Sequence, residues 1–591
     1  MSYLRSQAFL LRTLIVGAAY TVLLLGCKEP SQPSNANANL SDSESQAASV
    51  QSEQDSAQLT LESQVSPENI DEHGNIVLHG KEHVAANSNQ PSPNEISPTT
   101  SNAISTVASN KNINKEAAPT SVGNLATFDE LNQRIAEDWP QPAAVIFVTG
   151  QQHGYLEPCG CTGLDRQKGG LIRRDTLISQ LRNRGWNVIP CDVGNQVRRS
   201  MRQAEIKFHT TVEAFSKMGY EAAALGVDDL LLSSIELVQT ASSDAQNTKP
   251  FISTNVAVLD ASFFPEYKIV EVGGRKIGIT SALGAGMKNK LQSSDLIFQD
   301  PVEKLTEVST KLQSEGCTTL ILLAHASLEE SRELAQKVPK FDLVVTAGGF
   351  GEPTYEMEQI ENSPSKMVQV GTKGMFAGIV GLFDDPTTPM RYQRIAISSQ
   401  FEDSARMLQV FAEYQERLKN EGPEALGAAP SSLHPSGRKF VGSESCAECH
   451  TSAFEVWEGT THAHATESII HPSNDRGAIE RHHDPECISC HVTGWNVEFY
   501  YPYVSAWTGP DVTPMLSGSG CENCHGPGAN HVAAENGEID IENSQLLELR
   551  EQMKLPLAKA DEKCRTCHDL DNSPEFNFET YWEQVKHSGK D

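Results

Sequence analysis

Cys446-Ala447-Glu448-Cys449-His450 is the first of four Cys-x-x-Cys-His sequences near the C-terminus. The other copies begin at Cys487, Cys521 and Cys564. In this pattern the two thiols attach to one edge of a haem c group, and the adjacent histidine binds its iron. The pattern therefore predicts four haem c groups. Their thioether positions are Cys446, Cys449, Cys487, Cys490, Cys521, Cys524, Cys564 and Cys567, and their proximal ligands are His450, His491, His525 and His568.

Zinc is the alternative for paired Cys-x-x-Cys units, which form Cys₄ sites in zinc ribbons. Zinc does not explain a histidine at the same place in all four copies. The section 438–591 also holds eleven of the 18 histidines of the chain. Each low-spin haem needs a second axial ligand, normally histidine. We therefore predict that 438–591 is a mainly helical tetrahaem domain packed around porphyrin.

The N-terminus indicates export. Arg5 and Arg12 precede an apolar run that ends in Leu24-Leu25-Gly26-Cys27. Residues 1–26 form a signal peptide, since the run is short of the ~20 residues that span a bilayer. The end of the run resembles the lipobox of bacterial lipoproteins, which implies cleavage before Cys27 and lipidation of its thiol. We expect a periplasmic protein that a lipid anchor holds to the membrane.

Residues 27–125 are dominated by small and polar side chains and contain hardly an aromatic one. Such a segment cannot bury enough apolar surface to offset its ordering entropy, so we predict a disordered stalk. The formal net charge of the 591 residues is −30. A strongly acidic chain lacks the basic face that phosphate backbones require, so nucleic acid is excluded as a partner.

The section 140–400 alternates short apolar runs with amphipathic runs of helical length, a pattern typical of an α/β domain. Residues 401–437 read as a charged helix, at about 402–419, followed by a linker. The predicted strands are 144–148, 188–190, 251–257, 276–281, 319–324 and 343–346. The predicted helices include 170–184, 203–218, 301–314 and 328–337.

Loops at the ends of these strands carry a family resemblance. The stretches are Val148-Thr149-Gly150-Gln151-Gln152-His153-Gly154, Cys191-Asp192-Val193-Gly194-Asn195, Leu225-Gly226-Val227-Asp228-Asp229 and Ala324-His325. They resemble the 5′-nucleotidase branch of calcineurin-like metallophosphoesterases. The resemblance implies a β-sandwich flanked by helices, in which two divalent metals clamp a phosphate and activate water.

Several metal-binding positions of that family are changed. Gln151 and Asn195 replace aspartates, and Val227 replaces the metal-binding asparagine. The final Gly-His-x-His block of the family corresponds to 348–351, which contain no histidine. His153 and His325 remain. Two neutral imidazoles without a bridging carboxylate bind Mg²⁺ or Mn²⁺ poorly. We expect no divalent metal in the middle domain and no dimetal hydrolase activity.

Three cysteines accompany these loops. Cys159 and Cys161 follow the first strand, and Cys191 ends the second. Adjacent strands would bring them near the former metal pocket, where thiols could support redox chemistry or a soft metal, with His153 as a partner. A disulfide from Cys191 to Cys159 or Cys161 would equally explain them in an oxidising compartment. The candidate pocket therefore comprises Cys159, Cys161, Cys191, His153 and His325.

The C-terminal section resembles the tetrahaem cytochrome c that relays electrons from hydroxylamine oxidoreductase in nitrifying bacteria. The shared stretches include Trp457-Glu458-Gly459-Thr460-Thr461-His462, Asp484-Pro485-Glu486-Cys487 and Gly526-Pro527-Gly528 with His531. The resemblance implies the axial pairs His450 with His531, His525 with His462, and His568 with His587. The haem on His491 would have an open sixth position, or His482 or His483 would fill it.

The leading prediction is a membrane-anchored electron carrier that serves redox partner proteins. The alternative is an enzyme, in which the middle domain oxidises or hydrolyses a small nucleotide, phosphate or sulfur substrate and is coupled to the haems.

Overall fold

The computed structural model describes residues 134–158, 167–244, 246–473, 478–569, 572–573 and 576–589. All of them belong to one compact unit, Ala118–Asp591. The predicted signal peptide and stalk, together with Cys27, Cys159 and Cys161, lie outside the described residues. Within the described ranges, every helix is too short or too polar to cross a membrane.

The middle domain contains fourteen described strands and six described α-helices. The strands are β1 Ala144–Thr149, β2 Val188–Asp192, β3 Ala222–Ala224, β4 Phe251–Ile252, β5 Val256–Val258, β6 Tyr267–Val272, β7 Arg275–Leu283, β8 Leu296–Phe298, β9 Thr319–His325, β10 Leu343–Thr346, β11 Glu358–Gln359, β12 Lys366–Gln369, β13 Phe376–Leu382 and β14 Met390–Ala396. The helices are α1 Leu171–Asn183, α2 Arg202–Met218, α3 Ser234–Ala241, α4 Pro301–Ser314, α5 Leu328–Lys337 and α6 Ala405–Ala425.

Two six-stranded sheets form a sandwich, in the orders β14-β13-β1-β2-β3-β4 and β11-β12-β10-β9-β7-β6. Along β1 the side chains alternate: Ile146 and Val148 enter the core between the sheets, whereas Val145 and Phe147 enter the outer core. This period of two lets one strand bury both faces. Helices α1, α2 and α6 cover the first sheet, and α4 and α5 cover the second. The predicted α/β sandwich is confirmed.

Two local features differ from the sequence prediction. The single strand predicted at 251–257 is two short strands, because Thr254 and Asn255 turn away from the ladder. Thr254 shares a hydroxyl hydrogen bond with Thr280 at 2.7 Å, and the Asn255 amide donates to the Leu283 carbonyl at 2.9 Å. Helix α6, predicted in a linking section, buries its apolar stripe in the outer core of the middle domain.

The C-terminal region is built from short helices and two small hairpin strands, in agreement with the predicted mainly helical class. The helices are α7 Ser443–Ala447, α8 Thr451–Glu458, α9 Ala465–Ile470, α10 Pro485–His491, α11 Cys521–His525, α12 Ala529–Glu535, α13 Asn543–Gln552, α14 Leu557–Arg565 and α15 Phe578–Val585, and the strands are β15 Trp495–Asn496 and β16 Tyr501–Pro502. An aromatic cluster that includes Phe440, Trp495, Tyr503 and Trp507 forms its side-chain core.

Candidate functional site

Each Cys-x-x-Cys-His sequence occupies about one turn of helix. The His450 amide donates to the Cys446 carbonyl at 2.8 Å, and the His568 amide donates to the Cys564 carbonyl at 2.9 Å. The second and third motifs lie within α10 and α11. One turn of helix brings residues i, i+3 and i+4 to one face, so both thiols and the imidazole point to the same side.

Three of the motif histidines face a histidine from elsewhere in the region. The ring centroids are 6.5 Å apart for His450 and His531, 6.0 Å for His568 and His462, and 5.8 Å for His525 and His587. An imidazole nitrogen lies about 2 Å from a bound transition metal, so two imidazoles across one iron have centroids about 6 Å apart. The three pairs therefore fit bis-histidine ligation.

The pairing corrects two of the three pairs expected from the sequence. The pair His450–His531 is as expected. His462 faces His568 rather than His525, and His587 faces His525 rather than His568. The resemblance named all three histidines that face a motif histidine, but which ring faces which depends on how distant helices return across the region. Chain order could not supply that path.

Hydrogen bonds orient several of these rings. His525 Nδ1 lies 2.7 Å from the Met553 carbonyl, and His491 Nδ1 lies 2.8 Å from the Ala465 carbonyl. His587 Nδ1 lies 3.0 Å from the Val585 carbonyl. A nitrogen that faces a carbonyl must donate, which leaves the lone pair on Nε2 for a metal.

Burial favours the neutral form of four of the paired rings. Desolvation lowers the pKa of His462, His525 and His531, and it lowers the pKa of His568 to about 4. Iron binds the neutral form of imidazole, so the protonation state of these rings agrees with the ligand role. The chemistry and the spacing of the donor groups thus both fit haem c.

Contacts among the thiols give the spatial order of the motifs. The thiol of Cys446 lies near that of Cys521, and the thiol of Cys490 lies near that of Cys567. Cys524 lies near Cys564 and Cys567 of the fourth motif. The motifs therefore follow one another in space as first, third, fourth and second, an order different from that in the sequence.

In the middle domain, the retained family positions meet where the strands end. The His153 amide donates to the Asn195 carbonyl at 3.0 Å, and the His325 ring lies 2.9 Å from the Val193 carbonyl through Nδ1. A Cβ on Gly226 would lie 2.2 Å from Asn195 Oδ1 and 2.8 Å from His325 Cε1, so this glycine permits their close approach. Desolvation lowers the pKa of His325 to about 4.

Internal hydrogen bonds occupy the polar groups around this point. The Asn195 side chain donates to Asp228 at 2.9 Å and accepts from the Asp228 amide at 2.9 Å. Asp229 accepts from the backbone amides of Asn195, Gln196, Val197 and Gly226 at 2.7–3.2 Å. Asp229 thus holds the loop after β2 against the loop after β3 through hydrogen bonds. This role was not predicted from the sequence.

Cys191 lies apart from this group. Its side chain is fully buried in the apolar core between the sheets, and the thiol is free. Burial raises the pKa of this thiol, which suppresses the reactive thiolate. The expected placement of Cys191 in the pocket is therefore wrong, because β2 directs its side chain into the sandwich. Cys317 is partly buried against the second outer core, close to its expected environment.

A buried polar interface joins the middle domain to the segment before the second haem motif. The Lys207 ammonium lies 2.6 Å from Glu486 Oε2. Buried Asp484 accepts from the Tyr414 hydroxyl at 3.0 Å and from the Gln203 amide at 2.8 Å. Burial opposes the charge of Lys207, but the two carboxylates hold its pKa above its ordinary value.

A second connection reaches the loop that follows β1. The Arg481 guanidinium binds the Glu157 carboxylate through two hydrogen bonds, at 2.5 and 2.9 Å. Arg199 adds a third link, since its guanidinium lies 4.0 Å above the Tyr500 ring and donates to the Glu498 carbonyl at 2.8 Å. The second motif is thus the one held against the middle domain.

Comparison with known proteins supports both resemblances. Residues 445–526 match the family model described as cytochrome c554 and c-prime. The chain is 35% identical over 100 residues to cytochrome c-554 of Nitrosomonas europaea, covering 15% of this chain and 40% of that protein. It is 31% identical over 215 residues to the snake venom 5′-nucleotidase of Gloydius brevicauda, covering 34% of this chain and 36% of that protein.

Among solved structures, the 5′-nucleotidase precursor of Thermus thermophilus aligns with a TM-score of 0.41 at 17% identity, over 56% of this chain and 68% of that chain. The chain spans little more than a third of the length of the snake venom enzyme. It therefore combines, in one polypeptide, a region similar to 5′-nucleotidases and a region similar to cytochrome c-554.

Proposed function

We propose that this protein is an exported c-type cytochrome that transfers electrons through four haems. The observation that carries the proposal is the set of three opposed histidine pairs, each with one motif histidine. Haem c supplies one-electron redox chemistry when bound, and iron held between two imidazoles has no open position for a substrate. The three paired sites therefore suit electron transfer better than catalysis at the iron.

The order of the motifs defines two ends. The first motif lies at one end of this order, next to the third motif alone. The second lies at the other end, where Lys207 and Arg481 hold it against the middle domain. We infer that a redox partner protein docks near the first motif and that the middle domain serves the second.

The middle domain has, in this proposal, lost the dimetal site of the phosphoesterases. Asn195 stands where a bridging aspartate is required, and its side chain is committed to Asp228. Asp229 is committed to four backbone amides. A metal would have to displace these bonds to reach the carboxylates, and it would find no bridging group.

Haem content tests the proposal directly. The chain is produced in a host with cytochrome c maturation, and the haem content is measured from the pyridine haemochrome spectrum and the iron-to-protein ratio. We expect four covalently bound haems per chain. Protein from a competent host that lacks haem c bands would refute the proposal.

Lipid anchoring at Cys27 is a separate part of the proposal. The wild type should incorporate labelled palmitate, and a Cys27→Ser variant should not, with its haem content unchanged. Equal palmitate incorporation by the two proteins would show that Cys27 is not the anchor.

A second candidate function is a small-substrate redox enzyme or hydrolase in the middle domain, coupled to the haems. The observation that favours it is the Glu157–Arg481 bridge, which links the loop leading to Cys159 with the second haem motif. Metal analysis together with assays of phosphate release from nucleotides tests the hydrolytic form. Manganese, zinc or magnesium bound in the middle domain with phosphate release would favour the hydrolase over the electron carrier.

A further inference from the structure

Three side chains before the second haem motif form a compact donor cluster that haem binding leaves unexplained. We propose that Glu480, His482 and His483 bind a divalent transition-metal ion such as Zn²⁺. One ligating atom from each of the three side chains lies within 4.8 Å of the others.

The separations suit ligands of one metal rather than a hydrogen-bonded pair. His482 Nδ1 lies 3.8 Å from Glu480 Oε2, which is too long for a hydrogen bond. Donors about 2.0–2.2 Å from a tetrahedral Zn²⁺ are about 3.5 Å from one another. A small rotation of the exposed Glu480 side chain would complete the geometry.

Both imidazoles also present a buried nitrogen that no group among the described residues satisfies. His482 Nδ1 and His483 Nε2 are shielded from solvent, and neither has a hydrogen-bond partner among the described residues. A buried polar atom without a partner is costly, and native structures usually explain it by a bound water or ion. A metal would satisfy both nitrogens together.

The geometry separates these rings from the axial pairs. The centroids of His482 and His483 are 4.0 Å apart, against 5.8–6.5 Å for the three axial pairs. Two rings this close cannot lie on opposite faces of one iron. The two histidines therefore do not ligate one iron together. The alternative in which one of them lies opposite His491 on a haem iron is an outcome that the test below distinguishes.

The backbone on either side is fixed, so the cluster is preorganised. Arg481 is bound to Glu157, and Asp484 begins α10 by accepting from the Glu486 amide at 3.0 Å. Two imidazoles and one carboxylate suit Zn²⁺, Cu²⁺ or Ni²⁺ rather than Mg²⁺ or Ca²⁺, which prefer oxygen ligands. Three protein ligands also leave one coordination position for water.

Zinc binding to the matured, haem-loaded protein tests the site. The protein is treated with chelator and then titrated with Zn²⁺ in equilibrium dialysis, with elemental analysis of zinc and iron. We expect one zinc per four irons, and a loss of affinity of about 100-fold or more in His482→Ala and His483→Ala, since losing even a second-shell partner costs 10–100-fold. Glu480→Gln, which keeps the side-chain shape, should weaken binding with less risk to folding.

The matched control is His471→Ala. His471 is exposed and lies 3.9 Å from Glu467, so it offers a pair of donors rather than a group of three. Its removal should leave zinc binding unchanged. Equal zinc affinity in the wild type and in both histidine variants would overturn the proposal. It would also be overturned if His483→Ala retained zinc affinity but converted a low-spin ferric haem to high spin, since His483 would then be a haem ligand.

Discussion

The ion pair between Lys207 and Glu486 gives a quantitative test of how the two regions are joined. The Lys207 side chain is 8% exposed and that of Glu486 is 37% exposed, with Asp484 fully enclosed beside them. Removing one partner of a buried pair costs about 3–5 kcal/mol, whereas an exposed pair contributes about 0–1 kcal/mol. Since Glu486 keeps part of its hydration, we expect Lys207→Met to lower the free energy of unfolding by about 2–3 kcal/mol.

The assay is a double-mutant cycle with Lys207→Met, Glu486→Gln and the double variant, in haem-loaded protein. Urea unfolding is followed by the haem absorption for the C-terminal region and by far-UV circular dichroism for the whole chain. We expect a coupling energy of about 1–2 kcal/mol, because Asp484 still interacts with the Lys207 ammonium when Glu486 is replaced.

The control cycle uses Lys337 and Glu333, which lie 3.1 Å apart on the surface of α5. An exposed pair of this spacing should couple by about 0.3–0.5 kcal/mol. If the Lys207–Glu486 coupling is no larger than that of the control pair, the interface is not held by a buried charge contact and our estimate is wrong.

Three further predictions concern single side chains. The double variant His462→Ala/His568→Ala should convert one haem from low spin to high spin in the ferric spectrum, because both rings face one iron; conversion of two haems would restore the pairing expected from the sequence. Cys191 should resist alkylation in the native protein and react once urea unfolds it, and rapid native labelling would contradict its burial. The pKa of His325 is about 4 in the folded protein, against an ordinary value of 6.5. The free energy of unfolding should therefore be highest above pH 6.5 and should fall by up to about 3 kcal/mol as the pH drops to 4. In His325→Asn, urea unfolding at a series of pH values should lack this contribution to the pH dependence.

In the electron-transfer proposal, the middle domain supports the segment that precedes the second haem motif. Its helix α2 supplies Lys207 and Gln203 to the interface, and its β1 loop supplies Glu157. These residues hold the segment that leads into Cys487 and His491. The middle domain would then act as a rigid support for one end of the haem series.

The sequence by itself determined the fold classes and predicted the covalent chemistry. The spacing of Cys446, Cys449 and His450 is local, so it predicts haem attachment without any knowledge of the tertiary structure. The periodicity of strands such as β1 is equally local, and it predicted the α/β class and most strand positions. The family resemblance also named the three histidines that face a motif histidine in the structure.

Only the tertiary structure decided which groups meet. Chain order could not assign His462 to His568 or His587 to His525, because the choice depends on where distant helices return in space. The direction of the Cys191 side chain followed from the pleat of β2, which turned an expected pocket thiol into a core residue. The Lys207–Glu486 contact joins positions 279 residues apart, and long-range pairing of this kind leaves no trace in local sequence.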